Sequence, residues 1–247
     1  MRTPAASELL QVWERGSDVA AVTRGLYLLS VSCDGLDGDG LLHLPLGRRD
    51  ALLLQLHARL FGRQLDGVAQ CPACGAAVEA SFDADALLIE PDAANEVARV
   101  MELHVPTHDL RVRFRPADSG DLIALQACGD AASARQQLLQ RCVIEVVPEA
   151  GGHSTSLPDA LQTELAQAMA EADPQADLQL AFRCPDCEHA WQPVFDIACF
   201  LWQELHAWAL RLLRDVDTLA RHYHWSEADI LAMTPRRRQA YLEQCVP

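Results

Sequence analysis

Two stretches of the sequence decide the fold: CPACGAAVEASFD at residues 71–83 and CPDCEHAWQPVFD at residues 184–196. They begin 113 positions apart (184 − 71). Compared without gaps over residues 71–88 and 184–201, they agree at seven of eighteen positions. Both carry Cys-Pro-x-Cys, and apolar and polar residues alternate beside each turn, which is typical of β-strands. The sequence therefore contains an internal repeat of strand, cysteine turn and strand.

The four cysteines of this repeat, Cys71, Cys74, Cys184 and Cys187, suit a structural zinc site. Four thiolates fill a tetrahedral Zn²⁺ and leave no position for a reacting water. The 109 residues between Cys74 and Cys184 exceed the usual spacing of about 15–20, but two equivalent halves around one ion tolerate an insertion. We therefore predict a split zinc ribbon with one Zn²⁺. Redox-active pairs and cysteine turns without metal are the alternatives.

The residues that follow each cysteine pair bear on the geometry of the site. Gly75 permits the left-handed backbone that follows the second cysteine of such a turn. Glu188 stands at the equivalent position and fits it less well. His189 offers a further ligand, but four thiolates already suffice, so we expect it at the surface or beside the ligands.

The charge of the chain argues against several classes of function. Among 247 residues, 35 are acidic and 20 basic, which gives a formal net charge of −15. A nucleic-acid-binding protein needs a basic face, so we expect no nucleic-acid partner. No apolar run reaches the ~18 residues of a membrane span. The N-terminal stretch lacks the apolar core of a secretory signal, so we expect a cytoplasmic protein.

Helical patterns dominate outside the repeat. Apolar residues at three-and-four spacing predict helices from about 48 to 61, from Ser156 or Pro158 to Pro174, and over a long stretch after residue 197. The predicted class is α+β, mostly helical, with a split zinc ribbon and an inserted α/β module. The predicted segments are an N-terminal helical segment (1–64), ribbon half one (65–88), the inserted module (89–177), ribbon half two (178–197) and a C-terminal helical segment (198–247).

The sequence carries no familiar catalytic motif. It has no nucleophile elbow, phosphate-binding loop, dinucleotide fingerprint or metalloprotease motif, so we expect neither an enzyme nor a small-molecule substrate. Tryptophan and arginine often anchor protein interfaces. We predict partner contacts at Trp202, Trp208, Trp225, Arg236, Arg237 and Arg238. Core packing of the tryptophans and a solvated helix face for the arginines are the alternatives.

Several stretches resemble a known family. They are LPLGRRDALLLQLHARLFG (44–62), RFRPADSGDLIAL (113–125), LLQRCV (138–143) and the long stretch 184–243. These are similar to zinc-ribbon proteins encoded beside contractile injection systems and to baseplate hub assembly chaperones of contractile phage tails. The resemblance implies a non-enzymatic protein that helps to assemble a baseplate or forms part of it. The implied partners are hub, spike, tape-measure or baseplate proteins. The implied locations are the cytoplasm and the phage-tail-like particle itself.

Two functions from other classes stay open at this point. Zinc ribbons also serve as adaptors in nucleic-acid processing or transcription, although the net charge of this chain opposes that role. A hydrolase whose site no motif reveals is the other. Salt-sensitive DNA binding would favour the first, and metal-dependent turnover the second.

Overall fold

The computed structural model describes residues 1–89, 100–105, 110–148 and 161–245. Most of these residues are helical and the strands form small antiparallel sheets, so the predicted α+β class is confirmed. The helices are α1 (Ala6–Gly16), α2 (Ala21–Ser30), α3 (Gly38–Leu42), α4 (Leu46–Leu60), α5 (Ser119–Leu125), α6 (Ala131–Cys142), α7 (Gln162–Ala172), α8 (Ile197–Tyr223), α9 (Glu227–Leu231) and α10 (Pro235–Cys245). The strands are β1 (Gln64–Gln70), β2 (Ala77–Asp83), β3 (Met101–Val105), β4 (Leu110–Phe114), β5 (Val143–Pro148), β6 (Phe182–Arg183) and β7 (Ala190–Trp191). None of the described helices is both long and apolar enough to span a membrane.

The chain divides into two compact units. Residues Met1–Gly35 and Ala198–Pro247 form what we call the terminal unit, and Leu36–Ile197 form the central unit. Their charges differ. The central unit carries 11 arginines and 25 acidic residues, a net charge of −14, whereas the terminal unit carries 9 and 10. Almost the whole net negative charge of the chain therefore lies in the central unit. The finer division into five segments stays a prediction.

The terminal unit is built around α8, the long amphipathic helix that the sequence predicts. One of its core clusters joins Leu10 of α1 to Ala209 and Leu212 of α8. Trp202 is 7% exposed, and its ring covers Gly16 so closely that a Cβ there would lie 2.2 Å from it. The ring of Trp202 therefore belongs to the packing between these helices.

The last two helices begin at side-chain caps. Ser226 Oγ accepts a hydrogen bond from the Asp229 N–H (3.2 Å), and α9 follows. Thr234 Oγ1 accepts one from the Arg237 N–H (3.3 Å), and α10 begins at Pro235. Such caps satisfy amide groups that have no partner within the helix.

The central unit contains a three-stranded antiparallel sheet of order β3-β4-β5. Helices α6 and α7 pack on this sheet through one apolar core. The buried members of that core are Val105, Val112, Phe114, Leu139, Val143, Val146, Leu161 and Leu165. Strands β3 and β4 pair from Met101↔Phe114 to Val105↔Leu110. The predicted helix start at Ser156 or Pro158 lies outside the described residues, within which α7 begins at Gln162.

Helix α4 begins two residues before the predicted start because a distant carboxylate caps it. The Gly47 N–H donates to Asp173 Oδ2 (2.9 Å), and a Cβ on Gly47 would lie 1.8 Å from Asp173 Oδ1. Nearby, Gln175 Nε2 donates to the Leu87 carbonyl (3.2 Å), and its Oε1 accepts from the Ile89 N–H (2.7 Å). These contacts tie the segment after α7 to the chain that leaves the first cysteine hairpin.

A buried ionic cluster marks the start of α5. Asp121 is fully buried, and Arg115 donates to both of its carboxylate oxygens at 2.6 and 2.8 Å. Arg141 Nε donates to Asp121 Oδ1 (2.9 Å). Asp118 and Asp121 also exchange hydrogen bonds between side chain and backbone, as in a capping box. Burial alone would raise the pKa of Asp121, but Arg115 and the Asp118 N–H outweigh it, and the pKa is about 2.

Candidate metal centre

The sequence repeat is also a structural repeat. In the first hairpin β1 pairs with β2 from Gln64↔Asp83 to Gln70↔Ala77. In the second hairpin β6 pairs with β7 through Arg183↔Ala190, which is the pair Gln70↔Ala77 moved by 113 positions. The two hairpins therefore share one register, as equivalent halves must.

The second hairpin is less regular than the alternation of apolar and polar residues beside its cysteine turn predicts. Its regular ladder holds two pairs of residues, after which an isolated bridge joins Gln179 to Val194. Pro193 stands where the first hairpin has Ala80. Proline has no N–H to donate to a ladder, so the pairing is interrupted there. The Leu180 N–H still donates to the Pro193 carbonyl (3.0 Å), which keeps the register.

Aromatic rings join the two hairpins. The ring centroids of Phe82 and Phe182 lie 5.7 Å apart in an edge-to-face arrangement. Phe182 stacks on its cross-strand partner Trp191 (5.2 Å), and Trp191 stacks on His189 (6.2 Å). Because Phe82 belongs to half one and Phe182 to half two, this contact packs the inner faces of the halves together.

Each cysteine turn is closed by the same two backbone hydrogen bonds. In the first turn the Cys71 N–H donates to the Ala76 carbonyl (2.9 Å) and the Gly75 N–H to the Cys71 carbonyl (2.8 Å). In the second, Cys184 donates to His189 (2.9 Å) and Glu188 donates to Cys184 (3.0 Å). The two turns are therefore copies of one structure.

Glu188 adopts the left-handed backbone although its side chain disfavours it. Its φ is 58°, beside 76° at Gly75. A residue with a Cβ is strained in this region by about 1 kcal/mol. The poorer fit that the sequence suggests at Glu188 is thus local strain within an intact turn.

We expect Glu188→Gly to stabilise the chain by about 0.5–1 kcal/mol, because glycine relieves the left-handed strain. Urea unfolding measures the change. The matched variant Gly75→Ala introduces the same strain into the first turn and should destabilise by a similar amount. Equal stabilities for the wild type and Glu188→Gly would contradict the assignment of strain.

The four sulfurs of Cys71, Cys74, Cys184 and Cys187 meet between the turns, all within 4.8 Å of one another. Two close contacts join the turns, and each turn contributes one sulfur to each contact. The Cys71 sulfur lies 3.6 Å from that of Cys187, and the Cys74 sulfur lies 3.6 Å from that of Cys184. The sulfurs of a tetrahedral zinc–thiolate site, at Zn–S about 2.3 Å, lie roughly 3.8 Å apart. Cys71 and Cys184 are buried, whereas Cys74 and Cys187 are exposed. The arrangement is therefore nearly two-fold symmetric and fits a tetrahedral ion.

The thiol pKa values show how these sulfurs influence one another. Burial raises the pKa of Cys71, but the N–H groups of Cys74 and Ala73 outweigh it and bring the pKa to about 7. The Ala76 N–H lowers the pKa of Cys74, but the neighbouring sulfurs of Cys187 and Cys184 raise it to about 12. Adjacent thiolates repel one another. A divalent cation supplies the charge that lets all four ionise, so the donor set suits a metal.

His189 lies outside this group of sulfurs. Among the described residues, the four cysteines are the group of His, Cys and carboxylate side chains close enough to hold a metal ion. His189 is exposed and its ring stacks on Trp191. This matches the surface position expected from the sequence.

The predicted partner-binding residues have unequal exposure. Trp202 is buried, and Trp208 and Trp225 are partly buried beside apolar clusters of the terminal unit. Arg238 is 7% exposed and lies 3.6 Å from Asp215. Only Arg236 and Arg237 of the arginine run are exposed. Arg238 therefore takes part in the packing of α10 on α8, and a partner role for all six residues stays a prediction.

The matched family agrees with the baseplate part of the resemblance seen in the sequence. A family model described as T4 bacteriophage base plate protein matches residues 27–202, more than half of the chain. The chain belongs to this base plate family. Both cysteine turns lie within the matched range. No curated protein and no solved structure is similar enough to be matched to the chain.

Proposed function

We propose that this base plate family member is an assembly factor or structural component of the baseplate or hub of a contractile, phage-tail-like particle. The family match over residues 27–202 carries this proposal. Its partners would be hub, spike, tape-measure or baseplate proteins. The chain would act by binding, without catalysis and without a small-molecule substrate, either in the cytoplasm or within the particle.

The proposal includes one structural Zn²⁺, held by Cys71, Cys74, Cys184 and Cys187. The 3.6 Å sulfur contacts between the turns support it, because they are close to the edge of a tetrahedral zinc–thiolate site. Four protein ligands leave no coordination position for a substrate or water. The ion would hold together two hairpins whose sequences are separated by the module between them.

The charge of the hairpins speaks against the adaptor role in nucleic-acid processing. Residues 65–88 and 178–197 together carry one arginine and seven acidic residues. Phosphate contacts need basic side chains on the binding face. The same charges favour a protein partner with a basic surface.

A pull-down of the tagged protein from its host's lysate tests the proposed function. The experiment is done at low and at moderate salt and analysed by mass spectrometry. Recovery of hub, spike, tape-measure or baseplate proteins is expected. Recovery of polymerase subunits or nucleic acid in their place would overturn the proposal. The protein content of purified particles then separates a structural component from an assembly factor.

The arginine run offers matched variants for the same assay. Arg236→Ala combined with Arg237→Ala removes two exposed charges, so we expect an unchanged melting temperature and weaker recovery of the partner. Arg238→Ala leaves Asp215 without its buried cation and should destabilise the terminal unit by about 1–3 kcal/mol. Calorimetry measures both effects. Unchanged recovery of the partner with the double variant would indicate that Arg236 and Arg237 lie on a solvated helix face and bind no partner.

A further inference from the structure

The first hairpin presents an exposed outer face with an apolar centre. Along β1 and β2 the exposed side chains alternate with less exposed ones, so they share one side of the hairpin. At its centre Val68 is 66% exposed and stands directly opposite Glu79. A shallow depression between the strands is lined by Asp66, Gly67, Val68, Glu79, Ala80 and Ser81. A neighbouring depression is lined by Arg63, Gln64, Ser81, Phe82 and Asp83. The two depressions share Ser81 and lie one after the other along the strands, and we call them together the groove.

The charged side chains on the strands of this face are all acidic: Asp66, Glu79 and Asp83. Asp66 has partners, because Gln64 Nε2 donates to it (3.2 Å) and the Ser81 hydroxyl contacts it. Asp83 accepts from the Asp85 N–H (2.8 Å). Among the described residues Glu79 forms no hydrogen bond or ion pair. An uncompensated carboxylate therefore lies beside an exposed valine.

The second hairpin provides an internal contrast. Val194 is 63% exposed, so an apolar side chain is present there too. The charged residue on its strands is Arg183, which lies 3.7 Å from Glu188. Exposed valine is therefore common to both hairpins, but the residue opposite it is Gln179 in the second hairpin and the carboxylate Glu79 in the first.

We propose that the outer face of the first hairpin docks an extended, basic segment of a partner protein. An arginine or lysine of that segment would lay its methylene stem on Val68 and place its cationic group at Glu79. Long basic side chains cover apolar surface in this way while the charged group stays in polar surroundings. The groove follows the strand direction, which suits an extended segment rather than a helix. The net charge of −14 on the central unit would attract such a partner.

This inference rests on the proposed function, because it takes the partner to be a protein of the particle. It specifies what that function leaves open: the surface used and the chemistry of the segment bound. The acidic face of the first hairpin would recognise the positive charge and the extended backbone of the bound segment. The binding strength would fall with rising salt, because exposed charges are screened within about 10 Å at 0.1 M ionic strength.

A peptide titration of the full, zinc-loaded chain tests the docking face. The probe is a seven-residue peptide of alternating arginine and threonine, and its control carries citrulline in place of arginine. With methyl-labelled valine, the Val68 signals should shift and saturate with the arginine peptide alone, and the Val194 signals should stay in place. Glu79→Gln should weaken binding about threefold, as for an exposed ion pair. An unmoved Val68, an equal shift at Val194, or unchanged affinity of Glu79→Gln would each overturn the proposal.

The pull-down separates this inference from the function on which it rests. If the wild type recovers base plate proteins and Glu79→Gln recovers less, both stand. If Glu79→Gln recovers them equally well at low salt, the docking face is wrong and the proposed function survives. If the wild type recovers none of them, the proposed function fails, and the titration still decides whether the face binds basic segments.

Discussion

Replacing Cys71 by serine is expected to release the metal and to lower the melting temperature by about 10 °C. Cys71 is 2% exposed, and its sulfur lies 3.6 Å from that of Cys187 in the other hairpin. A serine hydroxyl is a poor zinc ligand at neutral pH, so the ion would lose one of the bonds that join the halves. Metal content by mass spectrometry and unfolding by calorimetry measure the two effects.

Cys128→Ser is the matched control for this variant. Cys128 is partly exposed, its sulfur contacts Gln137 Oε1 (2.8 Å), and it lies outside the four-sulfur group. It should keep one equivalent of zinc and the wild-type melting temperature. A chelator should destabilise the wild type and leave Cys71→Ser almost unaffected. If Cys71→Ser retained its zinc and its melting temperature, a shared metal site would be wrong.

The cysteine cluster could be predicted because its signal is local and occurs twice. Each turn is encoded within a few residues, and the fixed offset between the copies indicates which cysteines are equivalent. The short pairing between the strands of the second hairpin was harder to predict. Pro193 is visible in the sequence, but its effect depends on the register, which places it opposite Leu180. The strain at Glu188 likewise follows from a φ angle that the first turn only suggests.

Features that depend on distant contacts could not be predicted from local patterns. Arg236 and Arg238 are two residues apart, so on a helix they point in directions about 200° apart. That spacing alone argues against one shared face, but only the packing of α10 shows that Arg238 meets Asp215. The capping of α4 by Asp173 joins residues that are 126 positions apart, and no local sequence pattern predicts it.

The buried cluster around Asp121 gives the second large effect. We expect Asp121→Asn to lower the free energy of unfolding by about 3 kcal/mol, because it removes the buried charge that compensates Arg115 and Arg141. Asparagine keeps the shape of the side chain but loses its charge. The side chains of Arg115 and Arg141 are 30% and 40% exposed, so water partly compensates them and the effect falls at the lower end of the usual range. Urea unfolding at pH 6 measures it.

The dependence on pH distinguishes a charge effect from a packing effect. The pKa of Asp121 is about 2 in the folded protein, below its usual value near 3.9. The unfolded chain therefore binds the proton first as the pH falls, and the stabilisation is complete above pH ~4 and lost towards pH ~2. Acid would also weaken metal binding by the four cysteines, but it does so in both proteins. The difference between the wild type and Asp121→Asn should accordingly shrink between pH 6 and pH 3.

A surface ion pair in the same unit serves as the control. Arg63 and Asp85 lie 3.1 Å apart, but their side chains are 73% and 50% exposed. Asp85→Asn should therefore cost less than about 1 kcal/mol. If Asp121→Asn cost no more than Asp85→Asn, or if its effect were the same at pH 6 and pH 3, the buried carboxylate would not be the charge that holds Arg115 and Arg141 together at the start of α5.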